Sequence, residues 1–277
     1  MTYSDNGTVF VQEIIIGATA LGCAYACETP ASCMILEPSM LVGSEFSAVF
    51  RCCPVDMGAG LSESGQRFRL ELLRRNLVDQ DGRISIVPVS GMLAERIIKK
   101  DIPVQLMARV ETMKKTAQGY DILYFGMDGY TRISCGRIID TTQTGAMRGT
   151  AEGIAYKKSL SAMLSSEKRH EEYQSEDGSV SILQGRFETE QVLRVYVKGD
   201  ADYQHARTRL MSEWDKLSEK ELDGRRIAAI AAFFDYEYEK PINRERSKNY
   251  RWTPSASYGN VLDAFEAGVL LGRVNAG

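Results

Sequence analysis

The sequence predicts an α/β protein: a Rossmann-like sheet-and-helix domain carrying a three-stranded meander, with a small α+β domain inserted. Three observations predict it. An apolar, β-branched run from Val9 to Ile16 leads through a glycine turn and a small-residue helix to a second short strand ending at Glu37. Residues 104–140 alternate in hydropathy between tight turns and end at Asp140. Residues 151–249 turn highly polar, then strand-like, then helical. The 277 residues are 44% hydrophobic and 26% charged, which suits one large globular domain or one domain with an insertion.

Bulk properties exclude several function classes. A net charge of −3 supplies no basic field for nucleic acid. No apolar run approaches the roughly 20 residues needed to cross a bilayer. The polar start, Met1 to Gly7, lacks the pattern of a signal peptide, so a cytoplasmic protein is expected. Six cysteines are present, five of them within the first 53 residues, and none forms a C-x-x-C pair. Reduced thiols packed in a core are expected, and no metal site. The two histidines, His170 and His205, leave little for a histidine-centred mechanism; an enzyme of this composition relies on a cofactor.

The first element, Val9 to Ile16, reads as a buried parallel strand. Gly17 ends it, Ala20 to Ala26 is a helix of small residues, and Glu28-Thr29-Pro30 closes the helix. Ser32 to Leu36 is the second strand, with Glu37 at its carboxyl end. A dinucleotide site needs this order. The first glycine permits a sharp turn, the helix N-terminus offers N–H groups to a pyrophosphate, and a later glycine, Gly22, permits close helix–strand packing. An acid some 20 residues on takes the ribose hydroxyls. One position departs from the pattern: in "GATALG" Thr19 stands where glycine is usual. Its side chain either crowds the pyrophosphate or bonds to it through the hydroxyl. The alternative is a βαβ unit that binds no nucleotide.

The second segment, "IPVQLMARVETMKKTAQGYDILYFGMDGYTRISCGRIIDTTQTG", predicts strands at Val104 to Met113, Ile122 to Phe125 and Arg132 to Cys135, then a final strand from Arg137 to Ile139 ending at Asp140. With the glycine-rich unit before it, this resembles the two-dinucleotide-fold, glutathione-reductase-like FAD-dependent oxidoreductases. "RIIDTTQTG" looks like their second signature, with Gln143 in place of a usual glycine. The tail "WTPSASYGNVLDAFEAGVLLG" resembles their closing motif, in which a loop passes the flavin and a helix begins.

The resemblance covers 1–150 and 250–277 and implies an FAD-binding domain there, with 151–249 as an inserted substrate or cap domain. It implies FAD as cofactor, in preference to NAD, and flavin hydride or electron transfer on a small organic substrate. It places Gly17, Thr19, Gly22 and Glu37 at the adenosine diphosphate, Gly43, Ser44 and Glu45 around the ribose and pyrophosphate, Thr142 and Gly145 at the second signature, and Gly259 and Asn260 on the flavin side. It names no catalytic base. The rival class is a degenerate flavoprotein fold used for binding or assembly without catalysis.

The remaining elements follow from pattern. Ser64 to Leu77 is a helix with Arg67, Arg69, Arg74 and Arg75 on its wet face. Gly43 to Glu45 reads equally well as a surface loop, and Arg51 either balances phosphate charge or, the more common outcome, faces solvent. "KKSLSAMLSSEKRHEEYQSEDGS" predicts a surface helix and loop; "SVSILQGRF" and "EQVLRVYVKGD" predict a strand pair. "DYQHARTRLMSEWDKLSEKEL" predicts a helix with Leu210, Trp214 and Leu217 on one face. "RRIAAIAAFFDYEYE" predicts a buried strand. Tyr236, Tyr238, Tyr250 and Trp252 are candidates for a cleft lining, or for ordinary aromatic packing.

Overall fold

The computed structural model describes residues 2–3, 9–57, 60–147, 149–151, 154–168, 170–222 and 224–274. Most of the polar start Met1 to Gly7, read above for the lack of a signal peptide, lies outside the described residues. The chain opens with β1 (Thr2–Tyr3), β2 (Val9–Ile16), α1 (Ala20–Glu28), β3 (Cys33–Glu37), α2 (Ser44–Ser47), α3 (Glu63–Arg74) and α4 (Val89–Lys99). It continues with β4 (Val104–Leu106), β5 (Arg109–Lys115), β6 (Tyr120–Gly126) and β7 (Gly129–Asp140). Then come β8 (Lys157–Ser165), β9 (Tyr173–Gln174), β10 (Val180–Gln184), β11 (Glu190–Val197), α5 (Tyr203–Lys216), α6 (Glu219–Leu222), β12 (Arg226–Ile230) and β13 (Asp235–Glu237). The chain closes with β14 (Arg244–Ser247), β15 (Tyr250–Trp252) and α7 (Val261–Val274).

The larger sheet has the order β14-β15-β7-β2-β3-β4. From β15 to β4 its neighbours run parallel, as a βαβ unit requires. Residues alternate between two cores. Ile15 and Ile35 face α1, α4 and α7, while Ile14, Ile16 and Leu36 face the meander β5–β6–β7. The meander is antiparallel, as expected, but its third strand and the final strand are one. β7 runs unbroken from Gly129 to Asp140, pairing with β6 along its first half and with β2 along its second. The expected strand 104–113 divides into β4 and β5, because Met107 takes a left-handed φ of 55° between them.

The second sheet, β12-β8-β11-β10-β9 with β13 beside β8, is antiparallel and carries α5 on one face. Two expectations are corrected here. The segment expected as a surface helix is strand β8. Leu160, Ala162 and Leu164 point into the second core, and Ser159 and Ser161, equally buried, point the other way. The period is two, and serines on the hidden side disguised it as a polar surface. The segment expected as one buried strand is two short ones, β12 and β13, and β12 lies at a sheet edge with an exposed face. Strand β14 rejoins the larger sheet at Arg244, inside the segment expected as insertion.

Arg51 is also corrected. Its side chain is buried, not solvent-facing, and Nε donates to Asp235 Oδ1 at 2.8 Å. Its other nitrogens reach Asp235 and the carbonyls of Ala256, Tyr258 and Tyr236. This ion pair ties α2's segment and the C-terminal loop to β13. Removing one partner of a buried pair leaves an uncompensated charge, so Asp235→Ala should lower stability by about 3–5 kcal/mol in urea titrations.

Close helix contact places α1. A Cβ built on Gly268 of α7 would lie 2.2 Å from the Leu21 carbonyl oxygen of α1, whereas one on Gly259 meets nothing within 4 Å. Gly268→Ala should therefore cost about 1–3 kcal/mol. Gly259→Ala should stay within about 0.5 kcal/mol of wild type in the same denaturation series.

Candidate functional site at the head of helix α1

The site is built where β2 ends. Gly17 takes φ +99°, and a Cβ there would lie 2.8 Å from the Thr141 hydroxyl. The turn therefore needs glycine. Thr19 then caps α1: its Oγ1 accepts from the Gly22 N–H at 2.9 Å and donates to Thr141 Oγ1 at 2.8 Å. The Thr141 hydroxyl donates in turn toward the Ile16 and Gly17 carbonyls, at 3.0 and 3.1 Å. Gly22 is required as expected, since a Cβ would sit 2.4 Å from the Gly17 carbonyl oxygen.

The other N–H groups at the head of α1 are directed at the chain's own side chains. Ala18 N–H donates to Glu37 Oε2 at 2.6 Å, and Ala20 N–H to Glu45 Oε1 at 2.7 Å. Leu21 N–H reaches Ser255 Oγ at 3.3 Å, and the Ser255 hydroxyl donates to the same Glu45 oxygen at 2.8 Å. Glu37 Oε1 also accepts from Ser39 N–H at 2.8 Å. Glu45 Oε2, buried, has no hydrogen-bond partner among the described residues. A helix N-terminus that would hold an anion thus already holds a carboxylate.

These residues border a cavity of about 180 Å³ lined by Gly17, Thr19, Glu37, Ser44, Glu45 and Thr142, with Pro38, Ser39, Gln143 and Phe233. Six of the expected site residues therefore meet at one place. Five do not line the cavity. Gly22 packs under the turn, and Gly43 takes φ +68° before α2. Gly145 takes φ +85° in the loop after β7, Gly259 precedes α7, and Asn260 caps it through Oδ1 to the N–H groups of Leu262 and Asp263. The loop after β7 is set by Asp140, which accepts from Thr142 N–H, Thr142 Oγ1, Ala146 N–H and Tyr250 Oη. Trp252 Nε1 donates to the Thr142 carbonyl and Tyr238 Oη to that of Gln143. The aromatic residues of the return segment thus brace the site from behind.

Sequence reading missed Ser255, Thr141 and Phe233. Ser255 lies in the quoted C-terminal motif, but only folding brings it 234 positions back to Leu21. Phe233 comes from the second sheet's β12–β13 loop, and no local pattern marks it.

A larger, open hollow of about 430 Å³ lies at the start of α5, where His205 is paired with Asp202. Neither histidine borders the cavity at α1. All six cysteines are free thiols, and burial raises Cys23, Cys52 and Cys135. Among the described residues no cluster of three or more His, Cys, Asp or Glu is placed to hold a metal, and no helix is long and apolar enough to cross a membrane.

No family model matches the sequence, and no curated protein matches it. Solved structures do. A geranylgeranyl bacteriochlorophyll reductase-like protein from Thermoplasma acidophilum superposes with a TM-score of 0.67 at 9% identity, over 98% of this chain and 79% of that one. A flavoprotein/dehydrogenase from Cytophaga hutchinsonii gives 0.60 at 12%, over 96% and 78%. The anhydrotetracycline hydroxylase OxyS from Streptomyces rimosus gives 0.61 at 13%, over 96% of this chain, which spans only 61% of that enzyme. The architecture is the Rossmann-like α/β fold of these structures, with an inserted α+β domain.

Glu45 also carries a pH signature. Burial is the largest influence on its carboxyl and raises it to about 7; neighbouring Glu37 adds to the rise, and the Ala20 N–H and Ser255 hydroxyl oppose it. Burial raises Glu37 and Asp140 as well. A carboxyl raised on folding binds its proton more tightly in the folded state. Its contribution is therefore fully present below the unfolded value and is lost as pH rises toward the folded one. Stability of the wild type should fall between pH 4.5 and 7 more steeply than that of Glu45→Gln. Parallel slopes in thermal melts across this range would place the carboxyl's proton elsewhere.

Proposed function

We propose that this chain is an FAD-dependent oxidoreductase acting on a small organic substrate. The observation that carries the reading is the head of α1. Backbone donors converge there on an anion, with a glycine turn of φ +99° behind them and a strand-end acid, Glu37, beside them. The donor set fits a pyrophosphate, because the Glu45 carboxylate already stands in the anion's place. In this reading Glu37 keeps the Ala18 N–H and takes ribose hydroxyls, the Ala20 N–H takes a phosphate oxygen in place of Glu45, and Thr142 closes the far side. Gly145, Gly259 and Asn260 act by shaping the loop after β7 and the start of α7. Bound FAD supplies the hydride or electron acceptance. The chain's own residues orient it and exclude water, and Phe233, from the inserted sheet, brings the substrate side to the same cavity.

A second reading has its own observation. With Glu45 in place the cavity holds about 180 Å³, below the roughly 300–1,000 Å³ usual for ligand pockets. Among the described residues no lysine or arginine lines it. Both facts favour a binding or assembly role without catalysis.

Absorbance of the purified protein and FAD titration of the apoprotein separate the two. The oxidoreductase reading expects saturable binding with a flavin spectrum, and no binding at millimolar FAD favours the second. Glu37→Gln should weaken FAD by about tenfold through loss of a charge-assisted ribose bond. Equal affinity would remove Glu37 from the site.

A further inference from the structure

The head of α1 presents an unusual balance of charge. Two carboxylates, Glu37 from the end of β3 and Glu45 from α2, converge on one helix N-terminus, and among the described residues no basic side chain lines the cavity beside them. The helix dipole, backbone N–H groups and the Ser255 hydroxyl offset them. Glu37 is satisfied, with an N–H on each oxygen. Glu45 is not. Oε1 takes the Ala20 N–H and the Ser255 hydroxyl, while Oε2, on a side chain only 3% exposed, has no partner among the described residues. A carboxylate with one oxygen in the anion position and the other unsatisfied is a ligand held in place by half of its capacity.

We propose that Glu45 is an internal competitor for phosphate. Its carboxylate ligates the head of α1 in the ligand-free protein, and a diphosphate binds there only when Glu45 withdraws. The residue thereby sets the charge selectivity of the site: it disfavours ligands with phosphate at α1 and leaves uncharged nucleoside contacts, made through Glu37, unaffected. The inference rests on the flavin reading only for the identity of the natural ligand, because the competition concerns any phosphate. The cavity that Glu45 lines, bordered also by Ser44 and Thr142, gives its head group a place to move.

Isothermal titration of the full-length wild type, Glu45→Ala and Glu45→Gln at pH 8 with FAD, inorganic pyrophosphate and adenosine tests this. Both variants should bind FAD and pyrophosphate at least about tenfold more tightly than wild type, with adenosine unchanged across the three. Glu45→Gln keeps the side chain's volume and guards against a folding defect in Glu45→Ala. If FAD binds all three proteins equally, the competition is overturned and the flavin reading stands. If FAD binds none but pyrophosphate binds the variants better than wild type, the competition stands and the flavin reading falls. If adenosine gains as much as the phosphates, Glu45 acts by bulk and the charge argument is wrong. If neither phosphate ligand binds any of the proteins, both readings are overturned.

Discussion

The hydroxyl of Thr19 is the contact through which the site is organised. It caps α1 by accepting from Gly22 N–H and reaches across to Thr141, whose hydroxyl points back to the carbonyls at the end of β2. Three segments, the glycine turn, the helix and the end of β7, are joined by one short chain of hydrogen bonds. Buried hydroxyls of this kind must be satisfied to be tolerated, and here each one is. The glycines serve the same closeness. Gly17 and Gly22 let the turn and helix press against Thr141, and Gly268 lets α7 lie on α1.

The two sheets are tied by another buried polar contact. Arg51 spends its donors on Asp235 and on three carbonyls, from both the C-terminal loop and the second sheet. A buried ion pair adds little net stability over a well-packed apolar one, but it has a fixed geometry. The geometry here holds the segment after α2 in place, and with it Glu45. Positioning of the second sheet and occupation of the α1 head are thus linked through seven residues of chain, Glu45 to Arg51.

The fold was largely legible because its signals are local. Glycine between two apolar strands, an acid at the second strand's end and the alternation of the meander each reflect a short-range rule of backbone geometry. Four of the six expected site residues at the cavity, Gly17, Thr19, Glu37 and Thr142, meet there for the same reason: the βαβ unit brings the turn after β2, the end of β3 and the end of β7 to one edge of the sheet, and Ser44 and Glu45 join them from α2. Reading failed where burial did not follow polarity. Strand β8 hides Ser159 and Ser161, and Arg51 is enclosed, so polar residues imitated a wet surface. The helix α4, Val89–Lys99, went unread between stronger signals.

The sequence by itself determined the order of elements, the glycine turn at Gly17 and the place of Glu37, because each depends on dihedral preference and hydrophobic period within a few neighbours. Only the tertiary structure decided what the head of α1 binds. Glu45 comes from 25 positions away and Ser255 from 234, and nothing local records that both end on the same helix. A backbone N–H takes whichever acceptor the fold brings within about 3 Å, so its partner is a property of packing and not of spacing in the chain.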